Sequence, residues 1–317
     1  MPARPNNTTP TISHVAILLA TYNGERYLPE QLASFARQTH KNWRVWASDD
    51  GSTDNTRAIL EQHSRDWGPN KLTVVPGPRQ GSSRNFVSLT HRAEVQADHY
   101  AYSDQDDIWE DNKLARALAW LSMQDPTTPA LYCTRTRLVD ARNNEIGLSP
   151  NFRRPPGFAN ALMQNITGGN TMVFNDAARR LLRTAPEDTE IVIHDWWTYL
   201  AVTACGGTVH FDPEPGLRYR QHDNNLIGMT AGGPSLRARI TKLFGTTLKR
   251  NTDVNLNALN TLAHRITPQN REILDYFIKA RRSPLLSRLW GYRKARIYRL
   301  TTTDSIGMAI AAVLNRL

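Results

Sequence analysis

Residues 14–23, HVAILLATYN, are apolar almost without interruption until the chain reaches Thr21. A continuous run of this kind reads as a strand covered on both faces, which is the habit of parallel sheets. The next stretch, GERYLPEQLASFARQ, spaces Leu28, Leu32 and Phe35 as the stripe of an amphipathic helix. The alternation then repeats. NWRVWASDD places Trp43, Val45 and Ala47 on one face of a second strand, and GSTDNTRAILEQH offers Asp54 or Thr56 as the N-cap of a second helix. KLTVVPG and SRNFVSLTHRAE give a third pair, HYAYSDQDD and NKLARALAWL a fourth. This order predicts an α/β fold: a mostly parallel, Rossmann-like sheet flanked by helices and joined by right-handed crossovers.

Beyond residue 130 the pattern mixes. ALYCTRTRLVD reads as a strand, NITGGNTMVFN as a Gly-rich turn and strand, and DAARRLLRTA as a helix. In HDWWTYLAVTACGG, Asp195 is placed to cap a helix starting at Trp196, with Gly206 as its stop. TVHFDPEPGLRYRQHDNN reads as short strands and loops.

Three of the first four strands end in polar clusters: Thr21-Tyr22-Asn23, Asp49-Asp50 and Asp104-Gln105-Asp106-Asp107. Any one of them alone is explained as a solvated turn. Three at the carboxyl ends of strands in an open α/β sheet converge on one cleft, where ligands bind in such folds. The crowded carboxylates of SDQDDIW repel, so a metal ion, a basic side chain or water must sit among them. The chain has no phosphate-cradling G-x-x-x-x-G-K-S/T, no G-x-G-x-x-G after its first strand, no G-x-S-x-G elbow and no H-E-x-x-H. What remains is an oxygen-rich site of the kind that suits Mg²⁺ or Mn²⁺ carrying substrate phosphates, with Asp104 and Asp106 as a D-x-D pair.

ILLATYNGERYLPEQLASFARQTHKNWRVWASDDGSTDNT followed by SDQDDIW resembles the family 2 glycosyltransferases of the GT-A fold, and TGGNTMVFN, HDWWTYLA and YRQHDNNLIG are similar to their rhamnosyltransferase-like branch. The resemblance covers about residues 12–230. It implies that Thr21, Tyr22 and Glu25 line a nucleotide site and that Asp50 accepts from a pyrimidine N–H. It implies that Asp104 and Asp106 hold the metal, with Asp106 the direct ligand, and that Asp195 is the catalytic base. His194 stands before that base where many members carry an acidic residue. Gly168, Gly169 and Asn170 form either a tight turn or a close backbone approach to the donor sugar, and His222 is either a loop histidine or a third metal ligand. Asp49 and Asp54 read as structural, Trp196 and Trp197 as core and cleft wall. The implied activity is inverting sugar transfer from a dTDP- or UDP-linked donor, rhamnose leading, to a saccharide or lipid-linked acceptor in surface polysaccharide synthesis. A UDP-hexose or UDP-N-acetylhexosamine transferase is the enzyme alternative, and a non-catalytic membrane- or polysaccharide-binding protein the alternative from another class.

The net charge of +10 divides unevenly. Residues 235–317 carry 16 Lys plus Arg against 4 Asp plus Glu, whereas residues 1–234 hold 23 against 25. The expected organisation is a flexible N-terminus (1–11), a glycosyltransferase domain (12–230, split into a nucleotide-binding half 12–125 and an acceptor and catalytic half 126–230) and a basic helical region (235–317). Four helices are expected there, from SLRARITKLFGTTLKR, VNLNALNTLAHRI, QNREILDYFIKARR and SIGMAIAAVLNRL. They either lie on an anionic membrane surface or cap the catalytic domain; no nucleic-acid recognition module stands out. Two cysteines without a C-x-x-C, no leader-like segment in MPARPNNTTP and no run near the roughly 20 apolar residues of a membrane span give a cytoplasmic expectation, with peripheral membrane attachment through the basic region.

Overall fold

A computed structural model describes residues 13–221 and 247–317. Residues 1–12, His222, the Thr230–Ser235 boundary and most of the SLRARITKLFGTTLKR segment lie outside the described residues.

Strand β1 (Val15–Thr21) has parallel partners on both sides, β2 (Trp43–Asp49) and β4 (His99–Ser103), and β3 (Leu72–Pro76) lies beyond β2 at the sheet edge. Helices α1 (Leu28–Arg37), α2 (Thr56–Asp66) and α3 (Ser82–His91) are the connections. The unbroken apolar run of β1 follows from its two covered faces. Val15, Ile17 and Leu19 join a buried cluster with Leu28, Leu32 and Phe35 of α1, while Ala16, Leu18 and Ala20 join another with Phe86 and Leu89 of α3. The register sets Thr21 opposite Asp49 and Leu19 opposite Ser103, so the three polar clusters leave the sheet side by side.

After β4 a two-residue strand β5 (Ile108–Trp109) and helix α4 (Lys113–Leu121) lead to β6 (Ala130–Val139), the β7 hairpin strand (Glu145–Leu148) and the short α5 (Phe158–Ala161). A 3-10 turn (Gly169–Thr171) feeds β8 (Val173–Asn175), followed by α6 (Asp176–Leu182), α7 (His194–Ala204) and β9 (Thr208–Arg220). The sheet order is β3-β2-β1-β4-β8-β6-β9-β5, with β7 on β6. The first four strands are parallel as expected. β8 is antiparallel to both neighbours, so the sheet is mixed in its second half.

Two local expectations are corrected. The segment read as short strands and loops is one 13-residue strand, β9, parallel to β6. Its register shifts beside Thr134 and Arg135, and these bulges absorb Pro213, Pro215 and Gly216, which suggested loops. Helix α7 begins at His194 rather than Trp196; its stop is as expected, with Gly206 at φ +78°.

The C-terminal region contributes α8 (Thr247–Asn260), α9 (Pro268–Arg281), α10 (Leu285–Lys294) and α11 (Thr302–Val313). Helix α10 was not anticipated, and the helix expected to run to Ile266 ends at Asn260. Leu259, Leu262, Phe277, Tyr292 and Ala311 belong to the same buried cluster as Tyr199 and Leu200 of α7. Asn270 Nδ2 donates to the carbonyls of Thr203 (2.8 Å) and Ala204 (3.1 Å), satisfying orphan acceptors at the α7 C-terminus. The inner faces of these helices therefore pack on the sheet domain.

Candidate active site

At the ends of β1 and β2 the side chains are tied into turns. The Thr21 hydroxyl is buried and donates to Asp49 Oδ1 (3.3 Å), and Asp49 Oδ2 accepts the Ser52 N–H (3.1 Å). Asp49 is thus the turn carboxylate the sequence indicated. Asp50 accepts the Arg79 N–H at Oδ1 (2.6 Å) and the Gly81 N–H at Oδ2 (2.8 Å), which pins the β3–α3 loop to the end of β2. Glu25 Oε2 accepts from the Asn55 backbone (3.0 Å) and side chain (2.8 Å). Asp54 accepts the Glu25 N–H (3.0 Å) and the Thr56 N–H (3.0 Å), a loop brace rather than the N-cap, which is Asn55. Tyr22 is exposed, and its backbone is bridged on both sides by Gln105, N–H to Oε1 at 2.8 Å and O to Nε2 at 2.9 Å. That bridge joins the first strand-end loop to SDQDDIW.

The acidic cluster has a buried basic side chain beside it. Lys113, the first residue of α4, is completely buried; its Nζ donates to the Asn170 carbonyl (2.5 Å) and lies 3.5 Å from the centre of the Trp109 ring. Asn170 Nδ2 in turn donates to Asp107 Oδ2 (2.5 Å). Burial lowers the Lys113 pKa well below the ordinary lysine value, against the pull of Asp107 and Asp104. Asp107 is buried too, and desolvation, then Asp106 and Asp104, raise it well above the carboxylate range. Of the three candidates for the positive group, the chain itself supplies a basic side chain. The sequence conceals Lys113, because a lysine that opens a helix is ordinary. The available signal was its place on the buried stripe with Leu114, Ala117 and Leu121.

Asp195 faces this cluster from α7. The N-cap is Ile193, with no side-chain bond, so Asp195 lies inside the first turn and is not the helix cap. It is 4% exposed, Oδ2 accepts the Gly169 N–H (3.0 Å) and Oδ1 the Trp196 N–H (2.6 Å). Burial pushes its carboxyl up to about 6. Asp104 is pushed to about 7 by burial, then by Asp106 and Asp195, so the end of β4 and the start of α7 act on one site. His194 is stacked on Phe86 with ring centres 4.0 Å apart, and neither ring nitrogen has a partner among the described residues. Burial lowers its pKa to about 3, so it is neutral. A Cβ on Gly169 would lie 2.3 Å from His194 Nε2; the close approach that requires this glycine is to His194. Trp196 and Trp197 are core, as expected, with Trp196 Nε1 donating to the Ala161 carbonyl (2.7 Å).

Among the described residues no three His, Cys, Asp or Glu side chains are grouped to hold a metal ion. Mg²⁺ and Mn²⁺ need only one or two carboxylates besides water and phosphate. The donor set fits that requirement: Asp104 and Asp106 are partly accessible, and Asp107 Oδ1 is buried without a hydrogen-bond partner among the described residues. A groove of about 730 Å³ lies away from this cluster, between α2 and edge strand β3, and meets the site at Asp49, the following turn, and Gly77 and Arg79 of the loop held by Asp50.

The sequence pattern of Glycosyl transferase family 2 matches residues 16–185, more than half of the chain. The chain belongs to glycosyl transferase family 2. A dTDP-rhamnosyl transferase of Shigella flexneri, RfbG, is 28% identical over 220 residues, 66% of this chain and 73% of the relative. An Escherichia coli protein, UDP-Glc:alpha-D-GlcNAc-diphosphoundecaprenol beta-1,3-glucosyltransferase WfgD, is 31% identical over 107 residues, 34% of this chain and 40% of the relative. S. aureus TarS 1-349 in complex with UDP-GlcNAc superposes with a TM-score of 0.56 at 16% identity, covering 89% of each chain. The mannosyltransferase PcManGT of Pyrobaculum calidifontis, in complex with GDP-Man and Mn²⁺, gives 0.52 at 17% identity, covering 96% of this chain and 87% of that one. The family 2 fold expected from the sequence is the fold observed, and the protein is a glycosyltransferase.

Proposed function

We propose that this glycosyltransferase carries out metal-assisted, inverting transfer of a deoxysugar, with rhamnose from a dTDP-linked donor as the leading substrate, to a saccharide or lipid-linked acceptor. The observation that carries the reading is Asp195: a buried carboxyl raised to about 6, fixed by the Gly169 N–H and electrostatically coupled to Asp104. A base with a pKa close to neutral suits proton removal from an acceptor hydroxyl. In one displacement that oxygen bonds to the anomeric carbon, the bond to the nucleoside diphosphate breaks, and the proton passes to Asp195. Asp104 and Asp106 would hold a divalent cation, which supplies Lewis-acid stabilisation of the diphosphate leaving group. Lys113 keeps Asp107 and the Asn170 turn in place behind them. In the same reading residues 12–125 bind the nucleotide, with Tyr22, Glu25 and Asp50 around the base and ribose and Thr21 holding the Asp49 turn. Gly168, Gly169 and Asn170 border the sugar, within a second half (126–230) that receives the acceptor.

The rhamnosyl choice rests on the extent of the match to the Shigella relative, and the lipid-linked acceptor on the name of the Escherichia coli one. Calorimetric titration with dTDP, UDP, GDP and CDP, each with Mn²⁺ and with EDTA, tests the donor side. Metal-dependent binding of dTDP in preference to the others is the expected result. Preference for UDP would move the donor to the UDP-hexoses, and binding unchanged by EDTA would remove the metal from the reading.

A further inference from the structure

Helices α10 and α11 each bury one face and leave the other uncovered. On α10 the inward residues are Arg288, Gly291 and Tyr292, while Leu286, Leu289 and Trp290 are exposed, Leu286 by 82%. On α11 Ala311 and Ala312 are buried while Ile306, Ile310 and Val313 are exposed. These positions recur at three- and four-residue spacing, so each set forms a stripe along its helix. Buried Arg288 donates Nη1 to the carbonyls of Ala312 (3.1 Å) and Val313 (3.3 Å), tying α10 to the C-terminal end of α11. Soluble proteins expose single apolar side chains routinely, whereas apolar stripes on two neighbouring helices call for a partner.

The charge around α10 is basic, whereas α11 carries exposed Asp304 in its first turn and no Lys or Arg. Residues 276–303 contain eight Lys or Arg and no Asp or Glu. Arg282, Arg293, Lys294 and Arg296 are exposed, and Lys294 Nζ sits 5.3 Å from the centre of the Trp290 ring. Apolar stripes with a tryptophan at the border of a basic rim fit the headgroup region of an anionic bilayer, into which such helices sink about 5–10 Å. Among the described residues no helix is long and apolar enough to cross a membrane, so this contact lies in the surface plane. We propose that the outer face of α10 and α11 docks the protein on an anionic lipid surface, with Leu286, Leu289, Trp290, Ile306 and Ile310 entering the acyl boundary and Arg293 and Lys294 engaging headgroups. The proposal stands apart from the transfer reading, which it complements by bringing the enzyme to an acceptor held on lipid.

The test is sedimentation of the full chain with vesicles of equal parts phosphatidylcholine and phosphatidylglycerol, and with phosphatidylcholine alone. Wild type binds the anionic vesicles and not the neutral ones, and raised salt weakens the binding. Leu286→Glu/Trp290→Glu loses at least about tenfold in affinity, and Arg293→Gln/Lys294→Gln about thirtyfold, from roughly 1 kcal/mol per basic residue. All four side chains are exposed and outside the site, so circular dichroism and dTDP–Mn²⁺ binding match wild type. Failure of nucleotide binding in every protein alike would count against the transfer reading and leave the docking result standing. The proposal is overturned if wild type stays in the supernatant with anionic vesicles, or if the Leu286→Glu/Trp290→Glu variant binds them undiminished. It is equally overturned if sedimentation velocity shows a dimer that this variant dissolves without change in vesicle binding, because the face is then covered by a second copy.

Discussion

Replacing Asp195 by Asn separates what this side chain does for folding from what it does for catalysis. Its carboxyl moves from 3.8 to about 6 on folding, chiefly through burial. The folded state therefore binds this proton more tightly than the unfolded chain does. Stability from that difference is fully present below about pH 4 and is lost as the pH rises through about 6; the shift is worth about 3 kcal/mol. Asn cannot ionise, so the variant is spared the loss. It does forfeit one of the two N–H contacts at Asp195, from Gly169 or Trp196, at a cost of about 1 kcal/mol that does not vary with pH. Urea unfolding at a series of pH values should show the variant slightly less stable than wild type near pH 4 and about 2 kcal/mol more stable near pH 8. Relief of Asp104, which Asp195 also pushes upward, acts in the same direction. A stability difference that stays flat across this range would refute the argument that Asp195 is held in a desolvated, unfavourable charge state.

The same variant should lower the rate of sugar transfer about 10²–10⁴-fold, and the wild-type kcat/KM profile should rise with pH to a plateau above about 6, measured by chromatography of released nucleoside diphosphate. Lys113→Met should cost about 1–3 kcal/mol in urea unfolding, because it leaves the buried Asn170 carbonyl without its donor. Lys113→Arg should recover only part of this, since the larger guanidinium must fit between the Asn170 carbonyl and the Trp109 ring. Gly169→Ala should destabilise by about 1–3 kcal/mol, because the His194 ring, stacked on Phe86, cannot retreat from the new methyl. It should also reduce transfer without abolishing nucleotide binding, because the Gly169 amide is displaced from Asp195.

The N-terminal strands were legible because two-sided burial leaves a mark on every residue. β1 is apolar up to Thr21, and its parallel pairing with β2 and β4 follows from the strand–helix alternation and its right-handed crossovers. β9 was not legible. Its Pro213, Pro215 and Gly216 signal loops, and only the length of β6 beside it, with two register shifts, lets a strand run through them. The start of α7 was misplaced for a related reason: Asp is a favoured N-cap, and nothing local shows that this carboxylate is committed to the Gly169 amide 26 residues away.

The site divides along the same line. Carboxylates crowded at strand ends announce themselves by type and position, but the groups that make the crowding tolerable are ordinary in sequence. Lys113 resembles any lysine that opens a surface helix; it is exceptional only because α4 turns that face inward, onto Trp109 and the Asn170 carbonyl. Its contacts give the Gly168–Gly169–Asn170 turn a second function. The Asn170 carbonyl receives Lys113, its side chain holds Asp107, and the preceding amide holds Asp195. One turn thus spans the D-x-D strand end and the candidate base, and a shift at Lys113 must reach Asp195 through it. Lys113→Met should consequently alter the acid limb of the transfer profile as well as stability, whereas a lysine serving packing alone would leave the pH of half-maximal kcat/KM where it was.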